Sequence, residues 1–241
     1  MIIEGFNAVT EAIKGELTVE RVYIEKGARG ERISHALALA KKHKIRVDFQ
    51  DKERLLALSQ TGRHQGIIAV ITQFVYTPLE DILTMNKERG TPLLLVLLDG
   101  LEDPHNLGAI IRVADSAGAD GIVLPARRSV SVTDTVIKTS AGAAAHMPVA
   151  KVSNLNDAIR LLKDNFVTVL AADIGGNSIY QADLSGDIAI IIGGEGSGVS
   201  ALAKKLADGI VSLPQLGQIN SLNASVAAGI ALYEAVRQRI K

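Results

Sequence analysis

"IIIGGEGSGVS", residues 190–200, runs three β-branched apolar residues into a glycine-rich turn and then into the helical pattern of 199–206. An uninterrupted apolar run of this kind is a strand buried on both faces, as in a parallel sheet covered by helices. A glycine-rich turn between strand and helix invites a nucleotide-binding reading, and its spacing refuses it. A P-loop needs Lys after the final glycine, where Val199 stands. The dinucleotide fingerprint, counted from Gly194 and Gly196, needs a third glycine at the place of Val199, early in the fold. Two readings of the turn stay open: a plain tight turn, or a backbone that must approach a ligand closely. Glu195 in its middle would repel phosphate.

Outward from this turn, buried strands are expected at 92–98, 121–124, 166–171, 188–193 and about 209–213, with helices at 106–117, 154–163, 199–206 and 221–239. Apolar strands alternating with helices predict an α/β fold with a mostly parallel sheet. Residues 1–74 alternate as well, and make a small α/β unit. A helix ends at Gly15, strands are expected at 19–25, 45–50 and 67–74, a helix covers 30–43, and Asp51 caps another. Pro78, a short helical stretch and the polar exit of "VYTPLEDILTMNKERG" mark 75–90 as a linker, so the expected division is 1–74, 75–90 and 91–241.

Composition narrows the function. The 241 residues are 47% hydrophobic, yet no apolar run approaches the ~20 residues of a membrane span. The start "MIIEGFNAVTEAIKG" is not a signal peptide, so a soluble, cytoplasmic protein is the expectation. No cysteine is present, which excludes disulfides and thiolate metal sites, and the five histidines have no metal-ligand spacing. Neither a metal nor a membrane is expected as partner. Net charge is zero, but residues 1–74 hold twelve Lys/Arg against nine Asp/Glu, and 91–241 hold twelve against fourteen. The basic stretch 26–46 reads as a solvated helix face or as a phosphate-contacting surface. Aromatics are 3% and no aromatic–basic interleaving is visible, so stacking on unpaired bases is not the obvious mode.

"DGLEDPHNLGAIIRVADSAG" (99–118) follows the first buried strand. Asn106 reads as the N-cap of a helix whose core stripe is Leu107, Ile110, Ile111 and Ala114. Arg112 points about 140° away from Leu107, off the core, on a helix that follows the carboxyl end of a strand, where α/β proteins bind ligands. In "QINSLNASVAAGIAL" (218–232) three polar residues, Ser221, Asn223 and Ser225, crowd the start of a helix that needs only one cap, and small residues behind them allow close approach.

"NLGAIIRVADSAGADGIVLP", "IIIGGEGSGVS" and "LPQLGQINSLNASVAAGIALYEAVRQR" together resemble the three ordered motifs of the SpoU (TrmH) family of RNA ribose 2′-O-methyltransferases, over about 90–241. "GFNAVTEAI" and "HQGIIA" resemble the substrate-binding domain of the RlmB branch, which methylates a guanosine ribose of 23S ribosomal RNA. The resemblance implies a SPOUT-type sheet whose C-terminal segment threads a trefoil knot. It implies a homodimer and S-adenosylmethionine bent among the knot loops, at Gly193, Gly194, Leu213 and Leu222. Arg112 is implied as the main catalytic residue, with Asn106 and Asn223 orienting groups around it and Glu195 fixing the loop or the arginine.

The methyl donor is already activated, so the implied chemistry needs no metal. The ribose hydroxyl must lose its proton and lie in line with the methyl–sulfur bond. An arginine is a poor base at its ordinary pKa. A role for Arg112 on the adjacent phosphate and the developing oxyanion is preferred, with proton abstraction by a perturbed Arg112 left open. Transfer RNA is the alternative substrate, and a non-catalytic ribosomal-RNA-binding assembly factor is the alternative of a different class.

Overall fold

A computed structural model describes residues 1–15, 19–43, 45–71, 74–127, 129–196, 198–218 and 221–240. In chain order the elements are β1 (Ile2–Glu4), α1 (Phe6–Lys14), β2 (Val19–Glu25), α2 (Glu31–Lys42), β3 (Arg46–Gln50), α3 (Lys52–Leu58), β4 (Ile67–Ile71), α4 (Leu79–Arg89), β5 (Leu94–Asp99) and α5 (Pro104–Ser116). They continue as β6 (Gly121–Pro125), α6 (Asp134–Thr139), β7 (Val149–Val152), α7 (Leu155–Asp164), β8 (Thr168–Ser178), β9 (Ile188–Gly193), α8 (Ala201–Leu206), β10 (Gly209–Ser212) and α9 (Ala224–Arg239). The chain forms two compact units, Met1–Val75 with Val132–His146, and Tyr76–Ser131 with Met147–Lys241.

The first unit is a mixed four-stranded sheet in the order β1-β4-β2-β3, with β2 and β3 parallel. β1 had no sequence signal of its own, because three residues are too few for a period. It is fixed by antiparallel pairing to β4, Ile3 opposite Ala69. The strand expected to run through Phe74 ends at Ile71, and the Thr72 and Gln73 of that expectation lie outside the described residues. Residues 132–146, expected within the catalytic part, pack here instead. Val136 and Ile137 of α6 are buried, the Gly15 backbone lies against Ala145, and His146 meets Glu11 at 2.5 Å.

Glu4 is a buried carboxylate, 6% exposed. It accepts from Ser59 Oγ, Thr61 Oγ1 and the amides of Gln60 and Thr61 at 2.6–3.2 Å, and so fixes the turn after α3. Burial would raise its pKa, but these bonds outweigh burial and hold it below the usual carboxylate value. Glu4→Ala leaves those donors short of partners and is expected to destabilise the first unit by about 2 kcal/mol, read by urea unfolding.

The second unit is a six-stranded sheet, β10-β8-β9-β5-β6-β7, in which every pairing is parallel. α7 shows why such a helix forms. Asn154 caps it through the Asn156 amide, and Leu155, Ala158, Ile159 and Leu162 line one buried face. Each large side chain of that face stabilises by about 1.5–3 kcal/mol. The expected linker 75–90 is largely helix α4, whose Leu79, Ile82 and Leu83 are buried in this unit's core with Leu93 and Leu95. The strand expected from residue 166 begins at Thr168, because Phe166 stands at φ +63 and is 93% exposed.

β5 leads onward to β6 on one side of the sheet, and β9, its neighbour, leads to β10 on the other. Their adjacent carboxyl ends are therefore the switch point of the sheet, where open α/β folds leave a crevice. α9 is held at its far end by Arg239, which donates to the carbonyls of Leu184, Pro92, Leu93 and Gly186 at 2.6–3.0 Å. Immediately before it, Arg237 and Gln238 donate to buried Glu234 and lower its pKa to about 2. A depressed carboxyl pKa contributes stability above the unfolded value and loses it as pH falls through the folded one. Melting temperature should therefore drop as pH falls from about 4.5 towards 2, and Glu234→Gln should flatten that limb.

Candidate functional site

Asp99 ends β5 and Gly193 ends β9, opposite each other in register. The chain beyond Gly193 returns at once: the Gly194 amide donates to the Asp99 carbonyl at 2.8 Å, and Gly194 bridges to Gly198. A Cβ on Gly193 would stand 2.1 Å from the Gly198 carbonyl carbon, and one on Gly194 would stand 2.2 Å from the Gly100 oxygen. Backbone meets backbone here, which is why this turn is built of glycine. Ser197 of the motif lies outside the described residues.

α5 enters from the β5 side. Its cap is Asp103, not Asn106: Asp103 accepts from the amides of His105 and Asn106, and Pro104 fills the first helical position. Asn106 is thus released from capping, and its buried side chain turns into the site. Its Nδ2 donates to Glu195 Oε1 at 2.6 Å, and its Oδ1 accepts from Asn223 Nδ2 at 2.9 Å. Asn223 Nδ2 also reaches Glu195 Oε1 at 3.1 Å, while its Oδ1 caps α9 by accepting from Ser225 N and Oγ and from Val226 N. One of the three polar residues at the start of α9 therefore does both jobs. Ser225 supports it, and Asn223 ties the last helix to the β9 turn and to α5.

This network borders a cavity of about 650 Å³. Gly193, Gly194, Leu213 and Leu222 line it, as do Glu195 and Asn223. Ile192, Val211, Ala224 and Ala227 add apolar wall. Sequence reasoning missed two charged members, Asp173 and Lys204. Lys204 Nζ lies 2.8 Å from Asp173 Oδ2, which also accepts from the Val199 amide at 3.3 Å, and Oδ1 accepts from Ile174 N at 2.7 Å. Burial would raise the Asp173 pKa, but the Lys204 bond and the amides outweigh it and lower it. The available signal was a carboxylate at the end of the apolar run 169–172, in the crevice position of a parallel strand.

Arg112 is placed differently. It lies on the exposed side of α5, six residues beyond Asn106, and is not among the residues lining the cavity. Its guanidinium has no hydrogen bond or ion pair among the described residues. Among the described residues no group of His, Cys, Asp and Glu is arranged to hold a metal, and no helix is long and apolar enough to cross a membrane.

Comparison with known proteins agrees with this architecture. Residues 93–233 match the SpoU rRNA methylase family, and residues 2–77 match the RNA 2′-O ribose methyltransferase substrate-binding domain. A Staphylococcus haemolyticus protein assigned to the TrmH family of tRNA/rRNA methyltransferases is 41% identical, covering 99% of this chain and 96% of its own. A crystal structure of an AdoMet-bound rRNA methyltransferase from Sinorhizobium meliloti superposes with a TM-score of 0.82 at 26% identity, covering 100% of this chain and 88% of that one. The SpoU methyltransferase AviRb of Streptomyces viridochromogenes, at 23% identity, shares the fold with a TM-score of 0.83 over 99% of this chain and 89% of its own. The match to residues 93–233, together with 41% identity along nearly the whole chain, makes this protein a member of the SpoU rRNA methylase family.

Proposed function

We propose that the protein transfers a methyl group from S-adenosylmethionine to a ribose 2′-hydroxyl of ribosomal RNA, at a guanosine of 23S RNA as the resemblance implies. The observation that carries the reading is the cavity at the carboxyl ends of β9 and β10, beside β8, whose wall includes Glu195 and Asn223, both held from behind by Asn106. Its residues fit the cofactor. About 650 Å³ lies within the usual range for small-molecule sites, and an apolar wall faces a few polar groups. Asp173 and Glu195 against Lys204 give the lining one net negative charge among the described residues, opposite in sign to the net positive charge of the cofactor. Gly193, Gly194, Leu213 and Leu222 would hold it, and when bound it supplies a sulfonium-activated methyl group.

The chain's own residues do the rest. Glu195, held on one oxygen by two amide groups, fixes the turn. Arg112, with no partner among the described residues, is free to grip the phosphate beside the target ribose and to stabilise charge developing on the 2′-oxygen. Residues 1–74, together with 132–146, recognise the RNA. The trefoil knot belongs to the same proposal, supported by the convergence of Gly100, Gly194 and Asn223 at one place. So does a homodimer: α9 packs on α5 on one side and carries half-exposed Val226 and Tyr233, two turns apart.

Ribosomal RNA is favoured over transfer RNA by how much of the chain each kind of relative covers. The Aquifex aeolicus TrmH/SpoU tRNA modifying enzyme aligns with 66% of this chain at a TM-score of 0.55, whereas the S. meliloti rRNA enzyme spans all of it. Mapping 2′-O-methylation across total RNA from a deletion strain tests the proposal. One methylated ribosomal guanosine should disappear and return on complementation. Loss confined to transfer RNA would move the substrate, and no loss would favour a non-catalytic assembly factor.

A further inference from the structure

The cavity has little to hold RNA with. Among its described lining residues Lys204 is the one cation, and it is paired with Asp173. The backbone of a polyanion must be gripped elsewhere, and the first unit carries a feature built for it. The turn 59–66 is anchored from inside by the Glu4 carboxylate. Gln65 in it takes φ +54, an uncommon conformation for a residue with a side chain, and its Oε1 accepts from the Phe6 amide at 3.2 Å. Burying a carboxylate and straining a backbone both cost free energy, and such costs gather where geometry is needed for function. The turn turns Arg63 out to solvent, its guanidinium without a partner among the described residues.

Next to the turn, whose Gln65 holds the Phe6 amide, side chains from two distant stretches of sequence meet, Phe6 of α1 with Arg32 and His35 of α2. The Phe6 ring is half-buried, the Arg32 guanidinium carbon lies 6.0 Å from its centroid, and the His35 ring centroid lies 6.4 Å away, tilted by 48°. Arg32 and His35 are exposed on α2. An aromatic ring next to a guanidinium group is the chemistry that takes up a base and its phosphate together: the ring offers a stacking surface to any base, and the guanidinium fork matches two phosphate oxygens. A double helix keeps its bases stacked on one another, so the matching ligand is an unpaired nucleotide.

We propose that Phe6 and Arg32, with Arg63 on the adjoining turn 59–66, form a docking surface for an unpaired nucleotide of the RNA substrate, with the base against Phe6, its phosphate on Arg32 and a further backbone phosphate on Arg63. The inference rests on the reading that the chain acts on RNA and adds where and how the RNA is held.

Filter binding of the full-length protein to protein-free ribosomal RNA and to a 20-base-pair RNA duplex tests it. Phe6→Leu should weaken binding to ribosomal RNA by about tenfold, the scale of one base stack, and leave duplex binding unchanged. Arg63→Ala, at an exposed position, should reduce the slope of log affinity against log salt by about one. Both variants should bind S-adenosylmethionine as the wild type does, which shows that the catalytic unit is intact. Wild-type affinity and salt slope in both variants would overturn the docking surface alone. A Phe6→Leu loss equal on duplex and ribosomal RNA would overturn the base stack. A wild-type protein that binds no ribosomal RNA would overturn the RNA reading and this surface with it.

Discussion

Arg112→Ala should lower the single-turnover rate of methyl transfer by about a hundredfold or more, the scale of losing one preorganised charge-stabilising group. Stability should change by no more than about 0.5 kcal/mol, because the side chain is exposed and makes no polar contact among the described residues. Affinity for S-adenosylmethionine should be unchanged, since Arg112 does not line the cavity. Arg112→Lys should restore little, as an ammonium keeps the charge but not the planar fork. Rapid-quench transfer, thermal melting and calorimetry separate these outcomes. A folded, cofactor-binding Arg112→Ala protein with wild-type transfer would remove Arg112 from the chemistry and leave Glu195 as the leading base.

Gly194→Ala should produce the opposite pattern. The added methyl would sit 2.2 Å from the Gly100 carbonyl oxygen, which is backbone and cannot swing aside. The β9 turn must shift, carrying Glu195 away from Asn106 and Asn223. Overpacking of this kind costs about 1–3 kcal/mol, which in a unit of this size lowers the melting temperature by several degrees. Cofactor affinity should fall by about a hundredfold, since the displaced backbone forms the cavity floor, and transfer should fall with it. Gly90→Ala is the control. Gly90, unlike Gly194, has positive φ, at +67, and nothing lies within 4 Å of its added carbon, so it should lose some stability through backbone strain and no affinity. Equal affinities for the two variants would show that the turn does not shape the cofactor site.

What was legible in the sequence follows physical lines. β5, β6 and β9 stood out because strands buried on both faces are written as unbroken apolar runs. α5 and α7 showed their 3.6-residue stripes. β1, α6 and β7 carry three to six residues each, too few for a period, and exist through partners far away in sequence. Asn106 was misassigned as a cap because Asp103-Pro104, three residues earlier, is the stronger helix start. The meeting of Asn106, Glu195 and Asn223 was implied by family motifs and not by spacing. Asp173 shows in the sequence only as a carboxylate ending the apolar run 169–172; its link to Lys204, like the Phe6–Arg32 pair, is invisible there because the partners become neighbours only after the sheets form.

The packing of 132–146 into the first unit has a consequence for synthesis. The N-terminal α/β unit cannot complete its core when residue 75 emerges, because Val136, Ile137 and Ala143–Ala145 belong to that core and come some 70 residues later. At about 5–20 residues per second, that is a wait of roughly 4–14 s on the ribosome. During it, the surface that Gly15 and Glu11 offer to Ala145 and His146 stays open. By the time the segment arrives, β5, α5 and β6 have been made as well. The order of translation and the order of docking therefore differ, and an early helper that shields hydrophobic surface would act on the first 75 residues, not on the catalytic half.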